Sequence, residues 1–179
     1  MKKVLVLGGT RFFGRKLVEL LIADGHDVTI VTRGKLANPF GDTVKHIIVD
    51  RRDTNAFSNV FEGQYYDIVY DNICYSPNEA KALCDIFNGE MGKLIFTSTL
   101  ATYDADGKAK SEADFDPYTY SIQMGDTEDF TYGEGKRQAE AVFFKYATCP
   151  VVAVRFPIVM GIDDYTERLH FHVKHVANE

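Results

Sequence analysis

The chain has 179 residues with a formal net charge of −6; 45% of the residues are hydrophobic and 26% are charged. These values are typical of one soluble domain with a full-sized core, and the negative charge argues against a general nucleic-acid-binding surface. No apolar run approaches the roughly 18 residues that cross a membrane, and the run before Gly8 is too short for a signal peptide.

Apolar runs and stretches of helical period alternate along the chain. Continuous apolar runs predict six strands, at 3–7, 27–32, 44–50, 67–71, 93–98 and 150–156. Helical spacing and start signals predict five helices, at 13–23, 54–61, 78–87, 132–146 and 166–177. Residues 104–131 are polar and acidic and predict a long loop. The alternation predicts an α/β fold with a Rossmann-like, doubly wound parallel sheet.

Three residue types give further expectations. In the first helix, apolar residues recur at helical spacing and predict a buried face formed by Phe13, Leu17, Leu20 and Leu21. The cysteines lack CxxC spacing, and we interpret them as reduced core thiols of a cytoplasmic protein: Cys74, Cys84 and Cys149. The histidines are scattered and have no cysteine nearby, so we predict no metal site.

The segment VLVLGGTRFFG at 4–14 joins an apolar strand, a glycine-rich turn and an amphipathic helix. Such a turn lets backbone N–H groups and the positive end of a helix approach a pyrophosphate. The spacing G-x-x-G-x-x-G would place a glycine at position 11, where this chain has Arg11. A turn that merely joins strand and helix is the alternative, which the strand–turn–helix context disfavours. We expect these turn residues to bind a dinucleotide: Gly8, Thr10, Arg11, Phe12, Phe13 and Gly14.

The end of the second strand bears on the choice of cofactor. An NAD site usually has an acid there to hold the ribose 2′-hydroxyl, but this chain has Thr32 followed by Arg33. Because Arg can hold a 2′-phosphate with two parallel hydrogen bonds, this pair favours NADP, with NAD as the alternative; Arg33 as a solvated loop residue is the other interpretation. Polar residues at the ends of the third and fourth strands are further candidates for binding the cofactor: Asp50, Arg51 and Asn72.

Tyr132 and Lys136 are four residues apart on a predicted helix and share one of its faces. A tyrosine has a pKa of about 10 and is a poor base at neutral pH. A nearby ammonium, together with an oxidised nicotinamide, stabilises the phenolate and lowers that pKa, and the lysine can also bind ribose hydroxyls. A chance pair on the surface is the alternative, but the glycine turn and a hydroxyl-rich fifth strand accompany this one.

Taken together, these segments resemble the extended and atypical short-chain dehydrogenase/reductases of the NAD-dependent epimerase/dehydratase family. GGTRFFG resembles the family's GGTGFIG turn, FTSTLATYD at 96–104 resembles FSSSxxVYG, and YGEGKRQAE resembles YGxSKxxAE. VDRRD at 49–53 and RFPIVMGIDD at 155–164 also resemble family segments. The resemblance implies that Tyr132 and Lys136 are the catalytic pair, that Thr99 is the catalytic hydroxyl and that Asp50 meets the adenine.

The departures from the family pattern reduce the number of candidate functions. Arg11, Thr32-Arg33 and YDNICY resemble an atypical branch that includes chloroplast stem-loop-binding proteins, some of which bind RNA. Leu100 and Ala101 stand where the family's dehydratases carry acids, so we disfavour dehydration. The resemblance implies an NAD(P)-dependent oxidoreductase or epimerase acting on a hydroxyl or keto group of a small molecule, with a nucleotide sugar as a candidate. A non-catalytic dinucleotide-binding or RNA-associated protein is the alternative, and the acidic loop disfavours RNA.

The end of the chain leads to an expectation about domains. Family members carry a substrate lobe after the sixth strand, and 23 residues follow Phe156 in this chain. We expect a dinucleotide-binding domain at 1–160 and the start of a truncated lobe at 161–179, as in an N-terminal fragment or a naturally short form. Leu169, Val173 and Val176 would give the last helix an apolar face. We also expect an exposed apolar patch where the missing lobe would pack, which favours a homo-oligomer.

Overall fold

The computed structural model describes residues 1–161 and 163–178. Six parallel strands form one sheet in the order β3-β2-β1-β4-β5-β6. The strands are β1 (Lys3–Leu7), β2 (Asp27–Thr32), β3 (Lys45–Ile48), β4 (Ile68–Asp71), β5 (Leu94–Thr99) and β6 (Val151–Phe156). The α-helices are α1 (Phe12–Ala23), α2 (Thr54–Phe61), α3 (Pro77–Ile86), α4 (Tyr132–Tyr146) and α5 (Arg168–Ala177). The predicted doubly wound parallel sheet is confirmed.

Two hydrophobic clusters cover the two faces of the sheet. Successive side chains of a strand point to opposite faces, and in β1 the residues Val4 and Val6 pack with α1, whereas Leu5 and Leu7 pack with α2, α3 and α4. All four are fully buried. Burial on both faces explains why the strand reads as a continuous apolar run.

Local signals fix the helix ends that border the site. Ser76 accepts a hydrogen bond from the Glu79 N–H and caps α3, with Pro77 at its first position. Thr131 caps α4 in the same way. The predicted apolar face of α1 is wrong at Leu20, which is 65% exposed, because Val18 takes the buried position between Gly14 and Leu21.

The C-terminal helix α5 carries its apolar side chains outward. Leu169, Val173 and Val176 are all exposed. The division of the chain at residue 160 stays a prediction. No helix within 1–161 and 163–178 is long and apolar enough to cross a membrane.

The order in which the chain adds strands changes sides at β1, which pairs with β2 on one side and with β4 on the other. The loops after β1 and β4 therefore leave in opposite directions and open a crevice at the carboxyl ends of these two strands. The glycine turn lies at this point, directly after β1.

Candidate dinucleotide-binding site

A cleft of about 1600 Å³ runs along the carboxyl ends of the strands. Each residue that the sequence assigned to cofactor binding or catalysis lines this cleft: Gly8, Thr10, Arg11, Phe12, Phe13, Gly14, Arg33, Asp50, Arg51, Asn72, Thr99, Tyr132 and Lys136. The fold thus gathers side chains from positions 8 to 136 around one cavity. Their individual contacts separate those that face a ligand from those that support the backbone.

The glycine turn is packed too tightly for larger side chains, as Gly8 and Gly14 show. Gly8 has φ +79°, and a Cβ placed on it would lie 2.5 Å from Ile73 Cγ2. A Cβ on Gly14 would lie 2.6 Å from the Gly8 carbonyl oxygen. The Asn72 amide donates to that oxygen over 3.0 Å and ties the turn to the end of β4. The turn leads directly into the N-terminal end of α1, where backbone N–H groups can bind an anion.

Arg11 replaces the family's middle glycine without a strained backbone. Its φ is −132°, in the extended region, and the positive φ of the turn falls on Phe12 instead. The Arg11 side chain is exposed at the cleft and lies 5.0 Å from the ring centre of Tyr165. Arg11 therefore adds a cation to the cleft wall without backbone strain at its own position.

Arg51 and Asn72 line the cleft, but their polar groups are engaged within the protein. Arg51 is buried, forms a 2.7 Å ion pair with Asp71 and donates to the Glu79 carbonyl oxygen. Asn72 binds Gly8 through its amide nitrogen and accepts from the Thr97 hydroxyl through its oxygen. Both residues support the backbone of the site, a role that differs from the predicted contact with the cofactor.

Arg33 and Asp50 face outward at the end of the cleft formed by β2 and β3. Arg33 is exposed in the turn after β2. Asp50 is exposed after β3, and its carboxylate accepts the N–H of Arg52 over 3.0 Å. Lys35 lines the same region and was missed by the sequence analysis, although it lies only two residues after Arg33.

Lys136 is the most buried charged group of the cleft, with 2% of its surface exposed. Its Nζ donates to the carbonyl oxygens of Cys74 and Thr97, over 2.7 and 2.9 Å. Burial lowers the pKa of Lys136 to about 8. Since an ammonium has three donors, one N–H is left for a further acceptor.

Tyr132 begins α4 and is 57% exposed. Its ring centre lies 6.3 Å from that of Tyr75, which also lines the cleft and lies 4.6 Å from the Lys136 Nζ. Tyr75 was missed because nothing in the sequence marks it apart from its place after β4. The two tyrosines and the lysine form a wall of the cleft beside α4.

Two glycines let α4 approach the loops of the site. A Cβ on Gly133 would lie 2.5 Å from the Ala101 carbonyl oxygen, and one on Gly135 would lie 2.5 Å from the Tyr75 carbonyl oxygen. The absence of a side chain at Gly133 lets α4 lie against the turn after β5, and its absence at Gly135 lets α4 lie against the loop after β4. The spacing YGEGK therefore fixes the helix that carries Tyr132 and Lys136.

Thr99 ends β5 with its hydroxyl oriented by the backbone. Its Oγ1 accepts the Ala101 N–H over 3.2 Å, so the hydroxyl hydrogen is available to another acceptor. Arg137 of α4 donates to the Thr102 carbonyl oxygen over 2.7 Å and pairs with Asp104 over 2.8 Å. These bonds connect the turn that begins at Thr99 to the helix that begins at Tyr132.

The sheet order and the glycine turn at its switch point define a Rossmann-like fold. Residues 4–78 match the NAD dependent epimerase/dehydratase family. This match covers the glycine turn and the strands up to β4, and over this part of the chain it agrees with the sequence resemblance.

The named relatives include a stem-loop binding protein and an epimerase. The chain is 35% identical over 115 residues to chloroplast stem-loop binding protein of 41 kDa b from Arabidopsis thaliana, covering 57% of this chain and 30% of that protein. It is 26% identical over 168 residues to a UDP-glucose 4-epimerase from Neisseria meningitidis serogroup C, covering 79% of this chain and 47% of that enzyme. The chain thus spans less than half the length of these curated relatives.

Solved structures share the fold. The Bordetella bronchiseptica enzyme WbmH, solved in complex with NAD+, superimposes with a TM-score of 0.72 at 14% identity, covering 99% of this chain and 63% of that one. Structural neighbours bind NAD or NADP. At such identities the likeness establishes the fold alone.

Proposed function

We propose that this chain binds NADP in preference to NAD, and that its site supports an oxidoreductase or epimerase reaction at a hydroxyl or keto carbon. The observation that carries the proposal is the convergence of the glycine turn, Thr99 and the Tyr132–Lys136 pair on one cleft. A family relative acts as a UDP-glucose 4-epimerase by its name, which makes a nucleotide sugar the candidate substrate.

The glycine turn fits the pyrophosphate of a dinucleotide. Gly8 and Gly14 let the turn pack closely where a Cβ would clash, and the turn leads into the N-terminal end of α1, which favours a phosphate. Arg11 adds a positive charge on this side of the cleft. Arg33 follows β2, where an acid would repel a 2′-phosphate, and a guanidinium can bind one through two hydrogen bonds.

The catalytic roles follow from the donors and acceptors of three side chains. Bound NADP supplies a nicotinamide that accepts or returns a hydride. Tyr132 exchanges a proton with the reacting hydroxyl of the substrate, and Thr99 donates its free hydroxyl hydrogen to the same oxygen. Lys136 is positively charged below a pH of about 8 and stabilises the Tyr132 phenolate. Its remaining N–H is available to a ribose hydroxyl.

RNA binding is the second candidate function, favoured by the stem-loop binding relative. The structure gives this candidate little support because basic groups of the chain are paired with acids. Arg52 pairs with Glu128, and Lys110 pairs with Asp106. Titration with a stem-loop RNA at two salt concentrations separates the candidates, since binding through phosphates weakens steeply with salt.

Calorimetry with NADPH and NADH tests the cofactor proposal. We expect NADPH to bind more tightly, and Arg33→Ala to remove most of that preference at a cost of about 1–3 kcal/mol for charged hydrogen bonds. Arg15→Ala is the matched control, because Arg15 is an exposed arginine of α1 that pairs with Glu19. Equal affinities of the unmodified protein for the two cofactors would contradict the proposed preference.

The Tyr132→Phe variant tests the catalytic proposal in a screen of nucleotide sugars with NADP. We expect it to bind NADPH like the unmodified protein but to lose turnover, since only the proton-transfer group is removed. Tyr118→Phe serves as the control, because Tyr118 is 71% exposed and lies outside the residues that line the cleft. Undiminished turnover in Tyr132→Phe would show that this tyrosine is structural.

A further inference from the structure

His46 of β3 contacts the residue at which β2 ends. Its Nε2 lies 2.8 Å from the Thr32 hydroxyl oxygen. Thr32 lines the cleft, whereas His46 is half-buried on the neighbouring strand. The contact therefore lies directly behind the position where NAD-binding folds carry an acid for the ribose.

The turn that carries Arg33 is fixed around Thr32. The Gly34 N–H donates to the Thr32 hydroxyl oxygen over 3.1 Å, and the Val49 N–H donates to the Thr32 carbonyl oxygen over 2.9 Å. Gly34 has φ +71°, and a Cβ there would lie 2.8 Å from Ile48 Cγ2. The Thr32 hydroxyl oxygen is thus held in place, and only the direction in which its hydrogen points can vary.

A hydroxyl has one hydrogen to donate and two lone pairs to accept with, and Gly34 uses one lone pair. If His46 carries its proton on Nε2, it donates to the second lone pair, and the Thr32 hydrogen is free to point into the cleft. If Nε2 is bare, the Thr32 hydrogen points at His46 and only a lone pair faces the cleft. The first arrangement suits an anionic acceptor, and the second suits a ribose hydroxyl.

We propose that His46 is a specificity-determining residue, which donates to Thr32 and so directs the Thr32 hydroxyl hydrogen toward the 2′-phosphate of NADP. The inference rests on the proposed cofactor function. Both the imidazolium and the neutral tautomer protonated at Nε2 place the required hydrogen there. Thr32 and Arg33 then act on the same phosphate, the first through a hydroxyl and the second through a guanidinium.

Calorimetry with NADPH and NADH on four variants tests the proposal. We expect Thr32→Val to weaken NADPH binding by about tenfold, the value of one hydrogen bond to a charged group, with NADH binding within about twofold of the unmodified protein. His46→Leu leaves the Thr32 hydrogen undirected and not absent, so it should weaken NADPH binding by a smaller factor, and the double variant is no worse than Thr32→Val, because the two residues act as one unit. His46→Gln restores NADPH binding, since its amide can donate to Thr32.

The test includes a control variant and results that would contradict the proposal. His26→Leu replaces a half-buried histidine at the opposite end of β2 and should leave the affinities for both cofactors unchanged. Equal losses for NADPH and NADH in His46→Leu, or a gain in NADPH affinity, would overturn the assignment of His46. Failure of the unmodified protein to bind either cofactor would overturn the proposed function itself, before any variant is compared. Circular dichroism of each variant confirms that the fold is kept.

Discussion

Replacement of Lys136 by methionine should change how the stability of this protein depends on pH. The ammonium is buried with 2% of its surface exposed, and its two bonds are to neutral carbonyl oxygens. Burial therefore outweighs the nearby negative charges and lowers the pKa of Lys136 from 10.5 to about 8. Methionine has a similar length and removes the charge.

The sign of the effect follows from proton binding. Between pH 8 and 10.5 the unfolded chain keeps a proton on this lysine that the folded protein has released. The contribution of Lys136 to the free energy of unfolding therefore rises with pH across this range. The gap between the two pKa values corresponds to about 3 kcal/mol, and about 2–3 kcal/mol of it falls between pH 7 and 10.

Urea unfolding followed by circular dichroism measures the effect, since the chain has no tryptophan for fluorescence. The raised pKa of buried groups such as Cys84 lowers stability at high pH in both proteins and cancels in the difference. We expect the unmodified protein to gain about 2–3 kcal/mol relative to Lys136→Met from pH 7 to 10. Lys145→Met, at an exposed position in the last turn of α4, controls for the loss of a lysine. Parallel pH profiles for the unmodified protein and Lys136→Met would refute the reasoning.

Three further predictions concern packing and burial. Gly135→Ala should lower the melting temperature, with a loss of about 1–3 kcal/mol, because its Cβ would meet the Tyr75 carbonyl oxygen at 2.5 Å; an unchanged melting temperature would show that α4 can shift freely. Arg51→Met should cost about 3–5 kcal/mol in urea unfolding because it leaves Asp71 buried without its partner. Adding Asp71→Leu should recover much of that loss, and no recovery would mean that Arg51 acts through other contacts. Burial raises the pKa of Cys84 to about 12, so this thiol should react with a thiol reagent at pH 8 only after unfolding, as peptide mapping can measure.

The order and type of the elements could be predicted because burial on both faces leaves a local signal. The helix at 132–146 has the predicted bounds, since Thr131 provides a cap and apolar residues recur after it. The third strand was predicted at 44–50 but ends at Ile48. Its partner β2 ends at Thr32, and the bond from the Val49 N–H to the Thr32 carbonyl oxygen closes the ladder, so the chain beyond Val49 has no strand to pair with.

The roles of polar residues in the cleft could be predicted less well. Arg51 follows a strand, as a ligand-binding residue would, but its partner Asp71 lies 20 positions further along the chain. Only the folded sheet, in which β3 and β4 end at the same edge with β2 and β1 between them, brings the two together. The same is true of Lys136, whose acceptors lie in the loop after β4 and in β5. Long-range pairings of this kind leave no periodic pattern in the sequence.

These pairings connect the two ends of the cleft through the end of β4 and the loop that follows it. The Asp71 carboxylate accepts from Arg51 and from the Ile73 N–H, and so fixes the start of the loop after β4. One residue later, the Cys74 carbonyl oxygen accepts from Lys136. Asn72, between them, holds the glycine turn through the Gly8 carbonyl oxygen. Because one short loop contacts the glycine turn, the buried ion pair and α4, its position sets the distance between the proposed cofactor and the proposed catalytic groups.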